Sequence, residues 1–322
     1  MYMIIKLYYC KEEGKGERVV NIPYEYTFKP HRAAKHLKCS KLIRNSTYYT
    51  PVVIEDSNTL DISCKDIRKR GNFVNKTYED EADFPLAFVR AVFRDYEYLE
   101  ADLSTHYNPN NVYCYVMDSK ADAKFKARLR ALSTCFPNVI VADKEFKMSS
   151  KGRNVNPAQY HCLERLLDRN WKYVMLLEEL NITKLMKILN KDYYEHEQLT
   201  STLNANEVLK VPGGFTTKFL YKLNYSHMTR YTHWGSQNCN SKHIRNNVCV
   251  YKMPDLRDRL MTMPEFIYNK MMPSVDFGAI NCWHEYMFNR THIHRNTTVN
   301  EELYRNLPPV QWHNGRNVVI SK

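Results

Sequence analysis

Hydrophobic and polar positions follow a regular order only in the middle of the chain. The run PLAFVRAVF at 85–93 is apolar throughout except for Arg90, as a strand buried on both faces would be. Residues 95–103 then place apolar side chains at helical spacing, and NVYCYVM at 111–117 is a second apolar run that ends at Asp118. The stretch 121–132 is a basic amphipathic helix with Phe125, Leu129 and Leu132 on one face. NVIV at 138–141 predicts a third strand, 157–167 a helix with Pro157 suited to its first turn, and YVMLL at 173–177 a fourth strand. Four strands alternating with three helices predict parallel βαβ units, hence an α/β fold with an open, mostly parallel sheet and helices on both faces. Residues 1–82 are instead polar and irregular, rich in Lys, Asn and Tyr. After Leu177 the alternation ends, and 179–189 and 256–263 predict helices among loops.

Open sheets of this kind bind ligands at the carboxyl ends of their strands. Asp118 stands directly after the second strand, where a carboxylate accepts hydrogen bonds from a ribose or a base. An acid there serves equally well near the N-cap of the next helix, so position alone leaves both roles open. The fourth strand is unusual. YVMLL passes straight into Glu178-Glu179-Leu180, the start of an amphipathic helix, with no loop between them.

Charge narrows the partner only to something anionic. The 322 residues carry 47 Lys and Arg against 35 Asp and Glu, a net charge of +12. A nucleic-acid binder clusters its basic residues with stacking aromatics, whereas here they are dispersed and interleaved with acids. Walker A, GxGxxG, GxSxG and HExxH patterns are all absent, and no D-x-D ends a strand, so a metal-held sugar nucleotide is not indicated. His36-x-x-Cys39 and His292-x-His294 lack partner ligands nearby and read as surface histidines. Nine cysteines without a CxxC pair exclude zinc ribbons and thioredoxin-type motifs. Six N-x-[ST] sequons, at Asn45, Asn75, Asn181, Asn224, Asn289 and Asn296, favour a lumenal or secreted protein with disulfides. The first nine residues are apolar but short and interrupted by Lys6, well under the roughly 20 needed to span a bilayer. The sequence as given therefore reads as either cytosolic or incomplete at its N-terminus.

From Pro85 onward the chain resembles the core-2/I-branching β-1,6-N-acetylglucosaminyltransferases, in particular their nematode-like branch. The stretches that carry the resemblance are NVYCYVMDSKADAKF, STCFPNVIVADKEF, NPAQYHCLERLLDRNWKYVMLL, VPGGFTTKFL, HIRNNVCVY and FIYNKMMPSVDFGAINCWHEYMFNR. Weaker matches at ADFPLAFVRAVFRDYEYLE and around Cys39 and Cys64 extend it over most of the chain. The resemblance implies a GT-A-like domain over 83–322 behind a stem-like region over 1–82. It implies Golgi residence as a type II membrane protein, with the anchor lying outside this sequence. The reaction implied moves N-acetylglucosamine from UDP to a glycan hydroxyl with inversion and without a metal or other cofactor. The implied partners are thus a UDP-sugar donor and a glycan or glycoprotein acceptor, with no nucleic acid. By motif, Arg245 and Lys270 fall on the basic pair that neutralises the leaving diphosphate, and Asp118 on the nucleotide-contacting acid. The implied disulfides are Cys39–Cys282, Cys64–Cys135, Cys114–Cys162 and Cys239–Cys249, which leaves Cys10 over.

The departure from the family lies at Leu177. There the family strand runs into an acidic loop and a long block that holds further donor and acceptor contacts and the carboxylate general base. Here Glu178 and Glu179 match no family motif and read as acids in a helix's first turn. No catalytic base is assigned. A skipped exon, a gene-assembly error and a genuine pseudoenzyme each account for the junction, the fold then being a truncated version of the family's.

Overall fold

A computed structural model describes residues 3–5, 26–149, 153–176, 230–294 and 300–316. In chain order the first elements are β1 (Met3–Ile5), α1 (Cys39–Arg44), α2 (Cys64–Arg70), α3 (Glu79–Ala82) and β2 (Leu86–Val92). Then come α4 (Tyr96–His106), β3 (Val112–Met117), α5 (Ala123–Cys135), β4 (Val139–Val141), α6 (Val155–Glu164) and β5 (Tyr173–Leu176). Beyond these lie β6 (Arg230–Thr232), β7 (Ile244–Arg245), β8 (Val248–Cys249), β9 (Ile267–Asn269) and α7 (Pro273–Phe288). The described residues fall into two compact units. One draws on Met1–Tyr78, Asp95–Pro109 and Ser226–Thr297, the other on Glu79–Arg94, Asn110–Tyr225 and Thr298–Lys322.

The second unit holds the predicted sheet. Its four strands are all parallel, in the order β4-β3-β2-β5. Every residue of β3 is buried, as are six of the seven in β2, which is why these runs read as continuously apolar rather than alternating. The chain steps outward from β2 to β4 and then returns to the other side of β2 for β5. The strand order therefore reverses between β2 and β5, and at such a reversal an open α/β sheet offers a crevice at its carboxyl edge. One face of the sheet, with Val89, Val112, Cys114 and Val116, packs on Val155, Ala158 and Cys162 of α6. The Cys114–Cys162 disulfide ties β3 to that helix. Packing along β4, α5 buries Phe125, Leu129 and Leu132 as the periodicity predicts.

The first unit is built around α7, whose buried residues include Phe277, Ile280, Trp283 and Phe288. Residues 26–78, irregular by sequence pattern, are fastened to it. Cys39 at the start of α1 is disulfide-bonded to Cys282. The Tyr49 hydroxyl donates to Asp276 Oδ1 at 2.5 Å, and the Val52 carbonyl accepts from the Phe277 N–H at 2.6 Å. Gly278 admits the Tyr49 hydroxyl so closely that any Cβ there would collide with it. Helix α4 starts where Asp56 accepts from the backbone N–H groups of Tyr96 and Glu97 at 2.8 and 2.9 Å, a cap supplied from forty residues earlier in the chain. The stretch predicted as one helix over 256–263 is instead a single turn, Met253–Asp255, followed by a π-helical segment, Leu256–Leu260. The predicted helix over 179–189 lies outside the described residues, as do Cys10 and the segment 211–220.

Candidate functional site

Asp118 closes β3. Its N–H continues the ladder by donating to the Val92 carbonyl at 2.9 Å, and its carbonyl accepts from Ala121 at 3.0 Å to form a tight turn. The carboxylate is buried but engaged. Oδ1 accepts from the Lys120 N–H at 2.9 Å, and Oδ2 lies 3.3 Å from the Lys120 ammonium. The cap of α5 is Asp122, which accepts from the Phe125 N–H at 2.7 Å. Of the two roles open to Asp118, helix capping thus belongs to a neighbour. Lys126 braces the turn through the Ser119 carbonyl at 2.9 Å and Glu145 at 2.7 Å.

Arg245 and Lys270 lie in the other unit and are brought together there. Arg245 ends β7, and Asn246-Asn247 turn the chain back into β8 with φ of 51° and 58°. Positive φ at both central residues is what a two-residue hairpin demands, and Asn tolerates it. The hairpin is fixed from behind. The Cys239–Cys249 disulfide closes a loop of ten residues, the His233 carbonyl accepts from the Cys249 N–H at 2.9 Å, and Arg259 bonds His233 and the Asn238 carbonyl. Lys270 follows β9, its carbonyl accepting from the Tyr251 N–H at 2.9 Å. Its ammonium donates to the Arg245 carbonyl at 2.7 Å, and the Arg245 guanidinium, exposed on its own strand, reaches Met272 Sδ at 3.4 Å.

Basic groups face one another in this corner. Burial, and after it the Arg245 charge, hold the Lys270 pKa down to about 8. Burial also lowers the His243 pKa, helped by Lys252, Arg245 and Lys270 in that order. Lys252, Arg245 and Lys270 thus work against a charge on His243, and Arg245 against the charge on Lys270, a cost that a bound dianion would offset. The sequence singles out two of them. His243 opens the HIRNNVCVY motif and Lys252 directly follows it, but neither has a spacing of its own to mark it. The backbone N–H of Lys252 donates to Asp255 Oδ2 at 3.0 Å.

Six of the eight paired cysteines form the bonds Cys39–Cys282, Cys114–Cys162 and Cys239–Cys249, and Cys64 and Cys135 are also disulfide-bonded. Asn45 and Asn75 are exposed, and the Asn45 side-chain oxygen accepts from the Thr47 N–H and hydroxyl within its own sequon. Asn289 is half-buried in a helical turn, and Asn181, Asn224 and Asn296 lie outside the described residues together with Glu178 and Glu179. His36 is exposed, but His292 differs from the surface reading: it is half-buried, accepts or donates at 3.0 Å with the Tyr78 hydroxyl, and lies against Phe288. Among the described residues no group of three His, Cys, Asp or Glu side chains is placed to hold a metal ion, and no helix is long and apolar enough to cross a membrane.

A family profile described as Core-2/I-Branching enzyme matches residues 86–182, the sheet with its helices and the start of the junction. Over these residues the chain is similar to the Core-2/I-branching enzymes. Over 141 residues it is 33% identical to a human N-acetyllactosaminide beta-1,6-N-acetylglucosaminyl-transferase, covering 42% of this chain and 35% of that protein. Over 115 residues it is 34% identical to the mouse beta-1,3-galactosyl-O-glycosyl-glycoprotein beta-1,6-N-acetylglucosaminyltransferase 3, covering 35% of this chain and 26% of that protein. A bovine herpesvirus 4 protein named as a transferase of the same kind is 31% identical over 127 residues, 38% of this chain and 29% of its own. The chain thus aligns with between about a quarter and about a third of the length of these relatives.

Proposed function

We propose that this chain is a Core-2/I-branching enzyme that binds a UDP-sugar and acts in the transfer of N-acetylglucosamine to a glycan hydroxyl, with inversion and without a divalent metal. The observation that carries the proposal is the Lys270 ammonium held at 2.7 Å from the Arg245 carbonyl, in a corner where burial and a neighbouring cation work against its charge. Such a pair gains most from an anion whose charge grows during reaction, as a departing diphosphate's does. In this reading Arg245 and Lys270 neutralise that diphosphate, and Asp118 accepts hydrogen bonds from the nucleoside. The relatives' names, which specify β-1,6-N-acetylglucosaminyltransferases, support the donor sugar and the glycan acceptor. Lumenal residence in the Golgi is supported by the disulfides and by the exposed sequons at Asn45 and Asn75.

A second reading is binding without transfer. It is favoured by the passage from Leu177 directly to Glu178, and by a family match that stops at residue 182. Positioned acid–base groups contribute about 10²–10⁴-fold to rate, so a chain without the family's base would hold donor and turn it over poorly. Incubating the purified chain with UDP-N-acetylglucosamine and a core-1 disaccharide separates the two. Released UDP that depends on the acceptor supports transfer; donor binding without such release supports the second reading; neither binding nor release contradicts both.

A further inference from the structure

The parallel register of β2 and β3 sets Val92 beside Met117. The ladder runs one step further, because the Asp118 N–H donates to the Val92 carbonyl. The next lateral neighbours are therefore Phe93 and Asp118. Strand alternation gives both the parity of Ala91 and Val116, which belong to the face that packs on α6. On its other side Asp118 makes a parallel bridge to Phe146. A carboxylate flanked by two aromatic residues thus lies across the carboxyl edge of the sheet, where ligands of open α/β folds bind.

Phe93 is 43% exposed, unlike the well-buried strand that leads to it, while Asp118 is 4% exposed. A single ammonium spans them: Lys120 Nζ lies 5.5 Å from the Phe93 ring centroid and 3.3 Å from Asp118 Oδ2. Ring and carboxylate therefore lie within the reach of one nucleoside, whose base has a flat face and whose sugar hydroxyls donate hydrogen bonds. The Lys120 side chain is itself about half exposed.

We infer that Phe93 is the stacking platform for the base of the bound nucleotide, and that Lys120 is a resident cation which the base displaces from the ring. The inference rests on the reading that this chain binds a UDP-sugar, and adds to it a residue that the motifs do not single out. Stacking buries the exposed part of the Phe93 ring, over which Lys120 now lies, and Asp118 beside it accepts from the ribose. Because the contact is to the base, its loss weakens uridine and UDP by the same factor, whereas loss of a diphosphate contact weakens UDP alone.

The test is calorimetric titration of the 322-residue chain with UDP and with uridine, for wild type, Phe93→Ala, Phe93→Trp and Lys120→Ala. Phe93→Ala is expected to weaken both ligands about fivefold or more at an unchanged melting temperature, with Phe93→Trp restoring binding. Lys120→Ala is expected to keep uridine affinity or tighten it, since the competitor for the ring is gone. Wild-type binding of UDP that Phe93→Ala leaves intact overturns this inference and spares the donor reading. A wild-type chain that binds no UDP overturns both.

Discussion

At neutral pH the Lys270 ammonium keeps its charge against its surroundings. With burial and Arg245 holding its pKa near 8, below the ordinary lysine value of about 10.4, its protonated form penalises the folded state at lower pH. Stability from this group is accordingly gained, not lost, as pH rises from about 8 to about 10.4. Anion binding runs the other way, because only the ammonium attracts a diphosphate. UDP affinity is expected to fall about fourfold between about pH 7 and about pH 8.5, and Lys270→Met should flatten that profile. Titration by calorimetry at several pH values checks it. Glu97 shows the opposite case. Burial alone would raise its pKa, but hydrogen bonds from His31, Arg32 and the Ser57 N–H outweigh it and draw it down to about 2. Its stabilisation is present above the unfolded pKa of about 4.3 and lost as pH falls through about 2. Glu97→Ala should cost about 2–4 kcal/mol at neutral pH and make the protein less sensitive to acid between those values, measured by urea unfolding.

Elements were legible in the sequence where burial on both faces writes a local pattern. The strands β2, β3, β4 and β5 and helices α5 and α6 each lie within a few residues of the segments that apolar runs and helical periodicity predict. The turn Met253–Asp255 with its π-helical continuation escaped, since Met253, Leu256 and Leu260 are buried in a pattern that an ordinary helix would also show. The hairpin that presents Arg245 was equally silent: two-residue strands are too short for alternation, and the Asn-Asn turn is a weaker signal than Asn-Gly. At this scale the Cys114–Cys162 bond is the most direct handle. It joins β3 to α6 across 48 residues, and replacing both cysteines with alanine should lower stability by about 2–4 kcal/mol while leaving the parallel sheet intact, as read by thermal melting and circular dichroism.

On the scale of the whole molecule, sequence pattern alone said least about residues 26–78. They look irregular because what fixes them is distant: a disulfide across 243 residues, the Tyr49–Asp276 hydrogen bond and a carbonyl at Val52. Contacts over such separations leave no period in the chain, and the disulfide pairing came from family resemblance, not spacing. The candidate site divides in the same way. Asp118 could be found from its place at a strand end, whereas Arg245 and Lys270, far apart in sequence and without periodicity, were visible only through family motifs; the structure then shows them in one cationic corner. The account's central claim is that this corner holds the diphosphate of a UDP-sugar. Calorimetric titration of UDP into wild type and Lys270→Ala tests it most directly. The account predicts saturable binding by the wild type and at least about tenfold weaker binding by the variant, with uridine affinity unchanged. Equal UDP affinity in the two proteins, both folded, would contradict it.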